Sequence, residues 1–218
     1  ARLSTRLAFF AAGFAMACLA PLFPFIKTQV GANEGQFGLV LLCLGLGSII
    51  AMPVTGIISA RYGAKPMILL GGFGLVLFLP ALVFAPSPIV LGGILFMFGA
   101  SLGTIDVAMN VHGAEIEELE RRSLMSNFHA QFSIGGFFGA GLVTLLLSFG
   151  TEFHTAAIIG AVLTLFAMIL ARGGLLSVSG NEPEPFKFPR GDVLLWALFG
   201  GSTFVGEGAV LEGGAVLI

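Results

Sequence analysis

Between Arg6 and Lys27 the chain runs for 20 residues without a formal charge, and such gaps recur along most of its length. Another 26 uncharged residues separate Glu34 from Arg61, 40 separate Lys65 from Asp106, 29 separate Arg122 from Glu152, and 19 separate Glu152 from Arg172. About 20 apolar residues are what an α-helix needs to cross the hydrocarbon core of a bilayer. Soluble domains carry about a quarter of their residues as charges, whereas this chain is 10% charged and 56% hydrophobic, with a mean hydropathy of +1.01. The expectation is therefore an all-α membrane protein.

The 40-residue gap is too long for one crossing and is punctuated by "APSPI", where Pro86 and Pro88 are expected to exclude helix and mark a turn. That gives six spans over residues 1–172, expected to form an N-terminal six-helix bundle. The polar segment "SVSGNEPEPFKFPRGD" within 173–191 reads as an inter-bundle linker, and 192–218 as a seventh transmembrane run. The 32 glycines and 22 phenylalanines suit this class, with small residues at helix contacts and bulky apolar ones towards lipid. Cys18 and Cys43 both lie in apolar runs, which points to neither a disulfide framework nor a metal site.

Basic residues in short loops are retained on the cytoplasmic side. With the N-terminus cytoplasmic, Arg2, Arg6, Arg61, Lys65, Arg121, Arg122, Arg172, Lys187 and Arg190 fall inside and only Lys27 outside. A cleaved signal over Arg2 to Ala20, with "AMAC" as its end, fits less well because five further spans follow. No flanking charge closes the seventh run before Ile218, and the first residue is Ala. This is the pattern expected when a twelve-helix transporter, built from two six-helix halves, is cut early in its second half.

Within the fourth span, Gly99, Gly103, Asp106, Asn110 and Gly113 step by three and four, so they share one helical face, and Asp106 lies nine residues ahead of "EIEELERR", expected to be a charged loop. A carboxylate facing lipid costs at least about 2.5 kcal/mol, so Asp106 is expected to face a wet cavity, find a partner or take up a proton. The fifth span opens "SLMSNFHAQFSIGGFFGAG". Asn127, Gln131 and Gly135 share one face, with His129, Ser133 and Gly136 on another. The amides at Asn127 and Gln131 offer donors and acceptors without charge, suited to polar neutral solutes. His129 is a candidate proton relay, although a hydrogen-bonded interhelical histidine reads equally well. Gly135 and Gly139 form a small-xxx-small pair suited to close helix crossing. The third and sixth spans have almost nothing polar at their centres and are expected to lie outside, against lipid. In the seventh run, "GEGAVLEGG" places Glu207 about fifteen residues beyond Asp192, as a second ionisable cavity group.

The loop "GIISARYGAKP" presents Gly56, Arg61, Gly63 and Lys65 in a spacing that resembles the signature loop of the major facilitator superfamily. Gly56 would let the second span approach its neighbour, Gly63 would permit the tight turn, and Arg61 and Lys65 would anchor the cytoplasmic gate. Ala60 stands where the family usually has Asp, which makes any ionic latch there weaker or differently built. "IDVAMN" and "NFHAQFSIGGFFGAG" resemble the fourth and fifth helices of the fucose:proton symporter branch. They are closer still to related bacterial inner-membrane transporters, which share an "EGA" element in the seventh helix. The resemblance implies that Asp106 matches a protonatable acid, and that Asn110 and Gln131 match positions near the sugar. The first span, Leu7 to Ile26, lacks the second acid of the fucose symporter.

The implied activity is proton-coupled symport of a small polar solute, sugar-like or another metabolite, by alternating access in the inner membrane. Its partners are the lipid bilayer, the solute and the C-terminal half of the same transporter. Beyond the coupling proton, no cofactor, metal or nucleic acid is expected. A proton-coupled exporter is the rival within the superfamily, disfavoured because no Pro occurs between Ser123 and Ser148. A channel, or a scaffold whose buried Asp only glues helices, is the rival outside it. An enzyme is not expected, since His112, His129 and His154 are scattered and no nucleophile–base pair or phosphate loop is present.

Overall fold

A computed structural model describes residues 1–177 and Gly191, and every described element is helical. The seventh run, Glu207 included, and nearly all of the expected linker lie outside the described residues. Contacts divide the chain into two units, Ala1–Pro183 and Glu184–Ile218, and all the described helices belong to the first.

The first crossing spans Arg2–Val30 in three pieces: α1 (Arg2–Ala17), a 3₁₀ turn (Ala20–Leu22) and α2 (Phe23–Val30). Pro21 and Pro24 supply no backbone N–H, so the regular ladder fails there and a tighter turn fills the gap. The single uninterrupted helix expected over Leu7 to Ile26 is thus broken near its outer end. Next come α3 (Glu34–Tyr62), α4 (Ala64–Leu82), α5 (Pro88–Glu120), α6 (Met125–Ser148) and α7 (Phe153–Arg172). Each of the six crossings is long and apolar enough to span a membrane.

Local chemistry explains the ends. Asn33 and Gln36 form a reciprocal capping box at the start of α3, with bonds of 2.9 and 3.1 Å. Gly63 joins α3 to α4 at φ 83°, a backbone conformation that side-chain-bearing residues seldom adopt. Pro88 does not exclude helix as expected. It occupies the first position of α5 behind the Ser87 cap, where its missing N–H costs nothing. At 33 residues α5 is about 50 Å long, well beyond the ~30 Å of a hydrocarbon core. The acidic run from Glu115 to Glu120 is accordingly the last turns of this helix, and the expected charged loop shrinks to Arg121–Leu124. Glu117 Oε1 reaches across that turn and accepts from the backbone N–H groups of Leu124 and Met125, the latter at 2.7 Å, capping α6 from its neighbour.

Helix contacts are made where side chains are missing. Along the α1–α6 crossing a Cβ on Gly135 would strike the Phe10 carbonyl, one on Gly139 the Phe14 carbonyl, and one on Gly13 the Phe132 carbonyl. Gly47, Gly99 and Gly103 bring α3 and α5 equally close, and Gly71 does so for α4 and α5. Phe9, Leu75, Leu79, Phe98, Ile105 and Phe128 fill the space between these crossings. Of the crossings, α3 and α6 are the least covered, with 17% of their apolar windows buried against 39% for α4 and 33% for α7. The third and sixth spans, α4 and α7, fall between these two and the more buried first crossing and α5, at 56% and 44%. Gly71 admits α5 and Gly72 admits Met168 of α7, so apolarity at the centre of α4 reflects helix contact as well as lipid.

Candidate functional site

On α5, Asn110 lies one turn beyond Asp106. Its Nδ2 donates to the Asp106 backbone carbonyl at 2.9 Å and to Asp106 Oδ1 at 3.3 Å. Its Oδ1 lies 3.1 Å from His129 Nε2 on α6. An amide oxygen can only accept, so Nε2 of His129 carries the hydrogen and the chain runs from His129 through Asn110 to Asp106. The His129 ring stands edge-on to Phe9, centroids 5.3 Å apart, and the fully buried Phe9 stacks on Phe128 at 5.6 Å. Asp106 and Asn110 are half-buried and His129 is exposed. Among the described residues no Lys or Arg forms an ion pair with Asp106.

Three of the expected residues, Asp106, Asn110 and His129, are thus brought together. The other amides are not. Asn127 accepts from Arg6 Nε of α1 at 2.8 Å, and Gln131 is half-buried with no side-chain hydrogen bond among the described residues. The reason is the rotation of α6 set by its buried stripe, Phe128, Gly135, Gly139 and Val143. That stripe turns His129 towards α5 and carries Asn127 and Gln131 round the other side. The face of α5 is likewise divided. Gly99 and Gly103 lie against Leu44 and Ser48 of α3, and Gly113 lies under Met125 and Phe128, which leaves Asp106 and Asn110 as its polar part.

At the α3–α4 joint, Arg61 is exposed with its guanidinium carbon 5.4 Å from the Tyr62 ring centroid, and Lys65 is half-buried in the first turn of α4. Gly56 does not mediate a close approach, since a Cβ there would meet nothing within 4 Å among the described residues. The polar contact between α3 and α5 is made instead by Thr55 and Thr104, 3.2 Å apart and buried.

Two contacts are not foreseen by the sequence reading. Arg6 reads there only as a charge that fixes topology, yet it bonds Asn127; its place three residues before Phe9, on the same face of α1, is the available signal. Thr5 and His112 are both fully buried and joined at 3.1 Å, a pairing 107 residues apart that periodicity cannot reveal. A shallow groove at the opposite end, lined by Pro24, Phe25, Thr28, Gln29 and Phe153, does not include the Asp106 group. Among the described residues no three His, Cys, Asp or Glu side chains cluster to hold a metal.

Six apolar crossings packed through glycines, with a hydrogen-bonded carboxylate held inside one of them, define a polytopic α-helical membrane protein. A family profile for the Major Facilitator Superfamily matches residues 6–211, and the chain belongs to that superfamily. It is 44% identical, over all of its length and 57% of the relative's, to an uncharacterised transporter of this type from Yersinia pestis. It is 30% identical to an uncharacterised transporter of Sinorhizobium fredii, over 89% of this chain and 53% of the other. A membrane protein of Rhizobium meliloti, MosC, matches at 29% identity over 58% of this chain and 31% of its own. The chain thus spans little more than half the length of the first two relatives. The family and the names of these relatives point to part of a transporter.

Proposed function

We propose that the chain is the N-terminal part of a secondary transporter that carries a small polar solute, sugar-like or another metabolite, across the inner membrane together with a proton. In this reading the basic end of the bundle, with Arg2, Arg61, Lys65, Arg121 and Arg172, is cytoplasmic. The observation that carries the reading is the setting of Asp106. A carboxylate that served only as glue would be expected to sit fully enclosed or beside a permanent cation. Asp106 is instead half-buried and bonded to a neutral amide, which is in turn bonded to a titratable imidazole. Such a group can exchange a proton without dismantling an ion pair. A coupling ion shifts an alternating-access equilibrium only if it binds the two states with different affinity, and a carboxylate held by adjustable hydrogen bonds meets that condition. Asn110, Asn127 and Gln131 are assigned to solute recognition. Asp106 and His129 are assigned to proton coupling, with Glu207 of the seventh run. Arg61, Gly63 and Lys65 are assigned to the gate, and Gly56 is kept in the motif without a packing role.

The test uses the full-length protein in proteoliposomes with a pH-sensitive dye, challenged with a panel of monosaccharides and other polar metabolites. A solute in the panel is expected to drive alkalinisation of the external medium, and Asp106→Asn to reduce that signal at least tenfold. Solute flux that persists unchanged in Asp106→Asn, with only a shifted melting temperature, refutes coupling and supports the scaffold role.

A further inference from the structure

His112 is fully buried near the C-terminal end of α5, and the arrangement around Asp106 makes no use of it. Both of its ring nitrogens are engaged. The backbone N–H of Leu176 donates to Nε2 at 3.0 Å, and Thr5 Oγ1 lies 3.1 Å from Nδ1. A backbone N–H can only donate, so Nε2 is the bare nitrogen and Nδ1 carries the hydrogen that points to Thr5. The Thr5 hydroxyl then donates to the carbonyl of Ala1 at 3.2 Å, and the line of donors is complete from α5 to the start of α1.

The partner on the other side is not part of a helix. α7 ends at Arg172, and Gly173–Ser177 follow it. A segment that simply left the bundle would give its N–H groups to water. Here Leu175 is 4% exposed, Gly174 lies against the Ser4 hydroxyl, and the Leu176 N–H is spent on an imidazole 64 positions away. Side-chain burial, backbone contact and hydrogen bonding agree on one docking place. We infer that Gly173–Ser177 form a strap latched by His112 across the start of α1 and the C-terminal turns of α5.

The latch has a mechanical consequence. His112 follows Asn110 by two residues and Asp106 by six on one continuous helix. Any shift of α5 along or about its axis therefore pulls on the strap, so the chain leaving the bundle is tied to the helix that bears the carboxylate. This tie follows from the hydrogen bonds alone and stands whether or not Asp106 carries a proton in transport.

The experiment is hydrogen exchange by mass spectrometry on the purified full-length protein. The Leu176 amide is expected to be protected, and His112→Phe, which keeps bulk but removes the acceptor, to speed its exchange at least tenfold while α5 and α7 keep their protection. His112→Gln, which retains an acceptor, is expected to restore part of the protection. Should His112→Phe not fold, Leu176→Pro removes the donor from the strap itself, with Leu176→Ala as the control for the lost side chain, which packs against the core. Its readout is the rate at which Leu175→Cys, in a background with Cys18→Ala and Cys43→Ser, reacts with a membrane-impermeant maleimide. That rate is expected to be slow in the latched protein and at least tenfold faster with Leu176→Pro. The inference is overturned if the Leu176 amide exchanges at an unprotected rate in the wild type, if His112→Phe leaves that rate unchanged, or if Leu175→Cys reacts as fast as Ser177→Cys.

Discussion

Replacing Gly139 with Ala adds one methyl group where α1 and α6 touch backbone to backbone. The new Cβ would fall on the Phe14 carbonyl, well inside the 3.4 Å at which ordinary contact begins, so the helices must part by about 1 Å. That movement cannot stay local, because Gly135 on Phe10 and Gly13 on Phe132 belong to the same crossing. Overpacking of this kind costs about 1–3 kcal/mol, and the better helix propensity of Ala returns at most about 1 kcal/mol. A net loss of about 1 kcal/mol lowers the melting temperature by roughly 2–4 °C. Gly141, on the same helix, is the control, since a Cβ there meets nothing within 4 Å and only the propensity gain remains. Thermal unfolding of the full-length protein in detergent should therefore place Gly139→Ala a few degrees below the wild type and Gly141→Ala level with it or above. Cys18 gives a local reporter, because its Sγ lies 3.7 Å from the Gly139 carbonyl within the closed crossing. With Cys43 replaced by Ser, Cys18 should react with a maleimide at a lower temperature in Gly139→Ala. The reasoning fails if the two glycine variants melt together.

The Gln29 amide donates to the carbonyls of Val83 and Ala85, both at 3.0 Å, and so ties α2 to the α4–α5 turn. Gln29→Leu should cost about 1–2 kcal/mol, read as a lower melting temperature. Thr55 and Thr104 share one buried hydrogen bond between α3 and α5. A double-mutant cycle with Thr55→Val and Thr104→Val, read by unfolding in sodium dodecyl sulfate, should give a coupling energy of about 0.6 kcal/mol, the usual size for a hydrogen bond between membrane helices.

Crossing number and approximate limits are legible in the sequence because lipid imposes a length and a polarity that charge spacing records directly. The Gly135–Gly139 pair is legible for the same kind of reason, since a missing side chain at four-residue spacing has few uses other than contact. Rotation is not legible. Nothing in "SNFHAQF" says which of His129 or Asn127 meets α5, because that depends on where α1 crosses α6, and α1 contributes its own glycine, Gly13, from far away in sequence. The end of α5 misleads because a run of charge suggests a loop, whereas Glu117 uses its charge on the N–H groups at the start of α6. Pro88 misleads in the opposite sense, since a proline behind a serine cap begins helices as readily as it stops them.

His129 separates two roles that hydrogen-bond geometry alone leaves joined. Its Nε2–H orients the Asn110 amide, and the ring can also take up a proton at its other nitrogen. His129→Gln keeps a donor of similar reach but cannot titrate, while His129→Phe keeps the ring packing on Phe9 and loses both abilities. If orientation of Asn110 were the whole contribution, His129→Gln would transport like the wild type and only His129→Phe would fail. The proton-coupling assignment predicts a different pair of results. Both variants should lose solute-driven alkalinisation at least tenfold, and only His129→Phe should also weaken solute binding, because only there is Asn110 released to turn. Proteoliposome pH recordings and thermal-shift titration with the transported solute measure the two quantities separately. Wild-type alkalinisation in His129→Gln would remove the imidazole from the coupling path and leave Asp106 to act through Asn110 alone.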